Sequence, residues 1–423
     1  MTTNSTPQVK AFKFSPLLPG FNANPYQTYT RLRLEDPIHQ DIYGNWMLTR
    51  YADVKKVLGD QRFITDKIIE QIQDKNRYIQ HKQKDLNILA QTVRKWLLFF
   101  DPPEHTQLRR MVHKGFFLKT IEGMRPQIHK TVEQLINKVQ ASGQIEIIRD
   151  IASPLPAIVI SQMLGLPPEQ YDRLAYLAKD LFLVFEPLLS LEDYERLNQS
   201  AWEFREYLLQ TISERVKNPQ EDLISSFIAA RVGYGNPLTQ EIENDLLSTC
   251  IFLFSAGEET TAHLIGNGIL ALLRHPDEME RLKQQPQIIE SAVEELLRYD
   301  SPVQMLARIA TEDISLASQT IKAGDRVVVC LGAANRDPMQ FADPDRLNLT
   351  RRENRHLAFA DGIHHCLGAP LARIEGQIAI NALVRRLPNL KLGSEPLTWQ
   401  KELVFRGLKT LPLTFTPQRL ETN

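Results

Sequence analysis

The chain is poor in cysteine, with Cys250, Cys330 and Cys366 alone among 423 residues. They are odd in number, widely spaced and without a Cys-x-x-Cys, so neither a disulfide framework nor the usual structural zinc spacing is implied. Long apolar runs are also missing. No eighteen consecutive apolar residues occur, and the polar, proline-bearing stretch from Met1 to Gly20 has no charged segment leading into an apolar one. No membrane anchor is expected, and the chain reads as cytoplasmic. Neither sign of charge dominates: 50 Lys and Arg against 51 Asp and Glu leave a net charge of -1, which argues against nucleic acid or an acidic membrane as partner. Repeats and low-complexity tracts are absent as well.

What is present is a succession of helical signals. Asn24-Pro25-Tyr26 opens a helix to Glu35, and Ile38 to Thr49 reads as two strands around an Asn/Gly turn. A helix follows between Asp53 and Phe63. The Gln-rich segment from Asp66 to Lys95 is either a helix and loop over a pocket or a solvated connection. From Asp101-Pro102-Pro103-Glu104, helices dominate to Val232, broken at Pro154-Leu155-Pro156, Gly165 to Pro168, Glu186-Pro187 and Asn218-Pro219. Thr239 then caps a helix of about 35 residues, which spans about 50 Å at 1.5 Å per residue. Short β runs are expected at Val303 to Ala310, at Ile314 and Ile321, and at Arg326 to Leu331. Leu387 to Phe415 alternates as a terminal hairpin would. The fold class is mainly α with small β-sheets.

Four stretches carry possible chemistry. Phe359-Ala360-Asp361-Gly362-Ile363-His364-His365-Cys366-Leu367-Gly368 places a cysteine before a helix, where first-turn amides and the macrodipole favour a thiolate; a lone cysteine is otherwise a small buried hydrophobe. Ala256-Gly257-Glu258-Glu259-Thr260-Thr261 interrupts the long apolar helix. Thr260 can bond back to the Ala256 carbonyl and bend it, which makes either a mere kink or a place where a ligand meets an acid and an alcohol. Glu295 and Arg298 can pair at i, i+3, and His105 and Arg109 share a helix face; both patterns are common on ordinary surfaces.

In this order and spacing the stretches resemble the cytochrome P450 family, of the soluble bacterial type. Phe359, Gly362, His364, Cys366 and Gly368 match its cysteine signature. Ala256 to Thr261 match the oxygen-activating motif, Glu295 and Arg298 the Glu-x-x-Arg pair, His105 and Arg109 a His-x-x-x-Arg, and Arg406 to Pro412 an Arg-Gly-x-x-x-Leu-Pro. The resemblance covers nearly the whole chain and implies one P450 domain over residues 1–423, with a tail over 1–20, a smaller β-rich region and no fused reductase. It implies haem b with Cys366 as the thiolate ligand of iron, a donor that favours O–O cleavage. His105, Arg109, Arg308 and His364 would hold the propionates, with Ala256, Gly257, Phe359 and Gly368 also against the cofactor. Glu259 and Thr260 would deliver protons. Glu295 and Arg298 would form a buried charge network with the Phe341 to Arg355 segment through Arg346. Ala360 departs from the signature, which most often has glycine there; if the site needs a positive φ, alanine is strained.

The implied activity is monooxygenation of a small hydrophobic molecule, such as a terpenoid, fatty acid or polyketide-like compound, by O2 and two external electrons. A peroxide-driven or coupling reaction on the same haem, or a haem sensor or carrier without turnover, are the alternatives. Phe252, Ser255, Ala256, Val303, Met305, Val404 and Phe405 would line the substrate pocket, under a lid at 66–100 and 180–192. Arg110, His113, Lys114, Lys119, Arg351, Arg352 and Arg355 could form a basic patch for an acidic ferredoxin, or for flavodoxin, with its reductase; an ordinary solvated surface is the other reading.

Overall fold

The computed structural model describes residues 13–15, 18, 20–80, 84–233 and 236–418. The tail expected over 1–20 lies mostly outside them.

Prolines and polar caps set the helix starts. α1 (Tyr26–Glu35) follows Pro25, and α2 (Tyr51–Gly59), α3 (Ile68–Gln80) and α4 (Asn87–Val93) lead to α5 (Glu104–His113), which follows Pro102-Pro103. After α6 (Leu118–Gly123) and α7 (Arg125–Val139), α8 (Pro154–Leu164) begins on a proline and stops at the left-handed Gly165. α9 (Tyr171–Phe182) runs into a 3-10 turn, Leu183–Phe185. Ser190 and Asp193 form a capping box on α10 (Leu191–Lys217), and α11 (Leu223–Val232) follows.

Thr239 caps α12 (Gln240–Arg274) by accepting from the Ile242 N–H at 3.3 Å. Buried on nearly every side from Leu246 to Leu272, α12 is the central post of the fold, as an all-round apolar helix must be. It packs against α8, α9, α10 and α16 (Ala369–Arg386). Between them come α13 (Pro276–Gln284), α14 (Ile289–Tyr299) and the short α15 (Leu331–Ala334).

The largest sheet has the order β1-β2-β8-β5-β3, from β1 (Ile38–Gln40), β2 (Trp46–Leu48), β3 (Phe63–Thr65), β5 (Leu306–Ala310) and β8 (Arg326–Val329). β6 (Ile314–Leu316) and β7 (Gln319–Ile321) make a hairpin beside it. The terminal segment is not one hairpin. β10 (Thr398–Trp399) pairs with β11 (Leu408–Thr410), whereas β9 (Lys391–Leu392) and β12 (Pro412–Thr414) join β4 (Gln144–Glu146), a strand inside the stretch where helices were expected to dominate. Strands of two or three residues show alternation too briefly to reveal a partner. Among the described residues no helix is long and apolar enough to cross a membrane.

Candidate active site

The Cys366 loop is a tight turn in front of α16. The Cys366 N–H donates to the Phe359 carbonyl at 2.9 Å and the Ala360 N–H to the Leu357 carbonyl at 2.9 Å. Two left-handed residues make the turn, Ala360 (φ 58°) and Gly362 (φ 70°). A Cβ on Gly362 would stand 2.4 Å from the Leu58 carbonyl oxygen at the end of α2, so only glycine fits there. Ala360 takes the strained conformation, at about 1–2 kcal/mol. Arg373 on α16 lies over the Phe359 ring at 4.6 Å and grips Glu294 at 2.6 Å; His356 meets the same carboxylate at 3.1 Å. Burial pushes Glu294 up, yet His356 and Arg373 outweigh it and hold the carboxyl at about 2. Cys366 is exposed on the face of the loop, while the surrounding protein desolvates the thiol and raises its pKa. The Gly368 and Ala369 amides, with Arg109 and Arg373, work in the opposite sense.

Beside the loop, four cationic or donor side chains converge from three separate segments. The rings of His105 on α5 and His364 lie 4.4 Å apart. Nε2 of each is buried without a partner, as is Nη2 of Arg308 on β5, and Arg109 donates to the His365 carbonyl at 2.7 Å. Burial, then Arg308, His105 and Arg109, bring His364 down to about 3; burial and Arg109 lower His105 too. Among the described residues no carboxylate hydrogen-bonds to any of the four. A buried unsatisfied donor costs about 1–3 kcal/mol, so the cluster suits an anionic ligand, and two carboxylates would satisfy it.

On α12, Phe252, Ala256, Gly257 and Thr260 form a half-buried stripe within the otherwise buried stretch from Leu246 to Leu272. Thr260 Oγ1 donates to the Ala256 carbonyl at 2.9 Å. Ser255, expected to line the pocket, is fully buried off that stripe. Glu259 also leaves it, since neighbours on a helix diverge by about 100°. Its Oε1 stands 3.2 Å from His263 Nε2 and 3.4 Å from Lys179 Nζ. Burial raises the Glu259 pKa, but His263 and Lys179 bring it to about 2; Glu258, bonded to Ser153 Oγ at 2.6 Å, is pushed well up by burial and by Glu259. Glu402 completes a cluster with Glu259 and His263. Sequence reasoning missed His263, Lys179 and Glu402. Only His263, four residues after Glu259, left a local signal.

A sequence model of cytochrome P450 matches residues 43–405. The polyketide biosynthesis cytochrome P450 PksS of Bacillus subtilis is 40% identical, over 95% of this chain and 98% of that one. The chain belongs to the cytochrome P450 family. The 6-deoxyerythronolide B hydroxylase of Saccharopolyspora erythraea is 33% identical, over 93% and 96% of the two chains. The solved structure of P450BioI in complex with an acyl carrier protein bearing hexadec-9Z-enoic acid superposes with a TM-score of 0.86, at 37% identity, over 94% of this chain and 100% of that one. This P450 is a haem-dependent monooxygenase, working with an organic substrate, O2 and a redox partner.

The Glu295–Arg298 network of the P450 is fully buried. Arg298 forks onto both oxygens of Glu295 at 2.8 and 2.9 Å and donates to the carbonyls of Asn335, Pro344 and Arg346. The cation that joins them from the Phe341 to Arg355 segment is Arg351, at 3.0 Å from Glu295, rather than Arg346, which contributes only its carbonyl oxygen. Arg351 is thereby removed from the expected basic patch; Arg110, His113, Lys114, Lys119, Arg352 and Arg355 are exposed.

Of the other pocket residues, Phe405 stacks on Phe182 and bridges to Val303, and Val404 adjoins. Met305 lies 8% exposed in a cluster with Phe14, Phe21 and Tyr29, against which the half-buried Val404 also packs. The chain is irregular between Val303 and Leu306, so strand alternation does not carry Met305 to the Val303 side.

Proposed function

We propose that Cys366, as thiolate, would bind the iron of a haem b whose propionates His105, Arg109, Arg308 and His364 would hold. The observation that carries this reading is the convergence of those four donors beside the cysteine, without an anion of their own. Arginine suits carboxylates bidentately, and the Gly368 and Ala369 amides with Arg109 and Arg373 stabilise sulfur's negative charge. Phe359 and Gly368 would pack against the group from the cysteine loop and Ala256 from α12, where the neighbouring Gly257 faces Ile160 on α8. When bound, the haem supplies O2 activation and transfer of one oxygen atom to substrate. Thr260 holds a proton at Oγ1 beside the half-open stripe, and Glu259 resupplies it. Because Glu259 is drawn toward His263 and Lys179, its carboxylate must turn from them to reach Thr260.

The substrate class is an apolar acyl or polyketide-like molecule, against Phe252, Ala256, Val303, Val404 and Phe405. PksS and the P450BioI complex support that choice by the ligands their names carry. Electrons come from a ferredoxin or flavodoxin with its reductase in the cytoplasm, docking on Arg110, His113, Lys114, Lys119, Arg352 and Arg355. The reduced protein with carbon monoxide should give the red-shifted Soret band of thiolate ligation, and Cys366→Ser should abolish it. An unchanged spectrum in that variant overturns the assignment.

A further inference from the structure

One face of α9 and the turn after it meets three parts of the site in succession. Lys179 Nζ lies 3.4 Å from Glu259 Oε1. One turn on, Phe182 stacks on Phe405 with ring centroids 4.4 Å apart. A further turn on, Glu186 accepts two backbone hydrogen bonds, from the Leu403 N–H at 2.7 Å on one oxygen and from the Val404 N–H at 3.0 Å on the other. The opposite edge of the same loop is fixed by the Gln304 N–H to the Val404 carbonyl at 2.8 Å and the Arg406 N–H to the Pro302 carbonyl at 2.8 Å. Glu186 therefore holds the free edge.

An aromatic chain connects this grip to the stripe on α12. Phe405 meets Phe185 at 5.8 Å, Phe185 meets Trp96 at 5.8 Å, and Trp96 meets Phe252 at 5.5 Å. Moving the loop by an ångström moves Phe405, and with it this wall. No cation forms an ion pair with the Glu186 carboxylate among the described residues; its partners are amides, so its work is to fix backbone.

We propose that Glu186 is a positioning residue of the substrate pocket, clamping Leu403 and Val404 to the α9 cap and so setting where Val404 and Phe405 stand against a bulky ligand. This rests on the reading of Val404, Phe405 and Phe252 as pocket wall. A small ligand reaches the haem without disturbing the wall, whereas a bulky one is held by it.

The test uses the holoenzyme and two nitrogen ligands of haem iron, imidazole and 4-phenylimidazole, followed by the Soret shift in stopped flow. Glu186→Ala should keep the carbon monoxide band and bind imidazole within twofold of wild type, but release 4-phenylimidazole at least tenfold faster. Glu186→Gln keeps one acceptor oxygen and should release it two- to fivefold faster; this variant decides if the alanine variant does not fold. Release within twofold of wild type overturns the proposal, as does equal weakening of both ligands, which would mark a general effect on the haem site. If neither ligand shifts the wild-type spectrum, the haem-site reading itself fails, a result distinct from failure of the clamp.

Discussion

Thr260 spends its hydroxyl hydrogen on the Ala256 carbonyl, so the group closest to the half-open stripe is also the one that distorts the helix there. Thr260→Ala should leave ligand-induced spin shifts nearly unchanged and divert consumed oxygen to peroxide, read as the ratio of H2O2 to NAD(P)H; fully coupled turnover would count against the relay. Ala360 offers a second test. Glycine would relieve about 1–2 kcal/mol of left-handed strain while adding about 0.4–1 kcal/mol of unfolded-state entropy. Ala360→Gly should therefore raise the thermal midpoint slightly, with an unaltered carbon monoxide spectrum. Residues of this kind were legible because their roles depend on a few sequence neighbours: Cys366 and Gly362 in one turn, Thr260 four residues from Ala256. Lys179 and Glu402 were not. They reach Glu259 from segments remote in the chain, and only packing brings them together.

At the scale of elements, the segment after α15 is fastened to α14 by charge rather than by regular secondary structure. Arg298→Ala removes the fork on the fully buried Glu295, leaving that charge to Arg351 and two neutral donors from Asn348 and Asn354, and should cost about 3–5 kcal/mol, seen as little soluble holoprotein. Arg346→Ala should lie within about 0.5 kcal/mol of wild type, because its contribution is a carbonyl that alanine retains; equal damage from the two would contradict this arrangement. The sequence pointed to the pair and to the segment but misjudged which arginine, since an irregular stretch has no period from which to read orientation. Helix boundaries were easier, as at Pro154 and Thr239, and the three-residue β4 was missed for want of length. The turn after α9 also carries a pH prediction. Burial, with Glu402 adding to it, raises Glu186 to about 7 against the pull of its backbone donors. Beyond Glu402 lie Lys179, His263 and Glu259. A raised carboxyl pKa means that the clamped state prefers the proton, so its advantage is present at low pH and lost as pH rises through 7. Release of 4-phenylimidazole should quicken as pH rises from the ordinary carboxylate range to about 7 and level off above it, and Glu186→Gln should flatten that dependence.

For the molecule as a whole, a net charge of -1 provides no long-range pull on a partner, so any steering must come from a local patch. α5 is tied to the Cys366 loop through Arg109; the exposed Arg110, His113 and Lys114 follow on the same helix and its end, ahead of the exposed Phe117 and Leu118. Lys114→Glu with Lys119→Glu should slow reduction by an acidic ferredoxin severalfold at low salt, with the difference shrinking as ionic strength rises. Identical rates at low salt would place docking elsewhere.

The inner face of α9 bears on catalysis in another way. Lys179 and Glu186 ride on one short stretch, so any outward swing that frees the terminal loop for ligand entry also carries the ammonium away from Glu259. The carboxyl then loses one of the charges that hold its pKa down, so it takes up a proton more readily in the open molecule than in the closed one. Opening the cap and protonating Glu259 are thus linked, and variants that leave it ajar should show an altered ratio of peroxide to reductant even when their haem and threonine are intact.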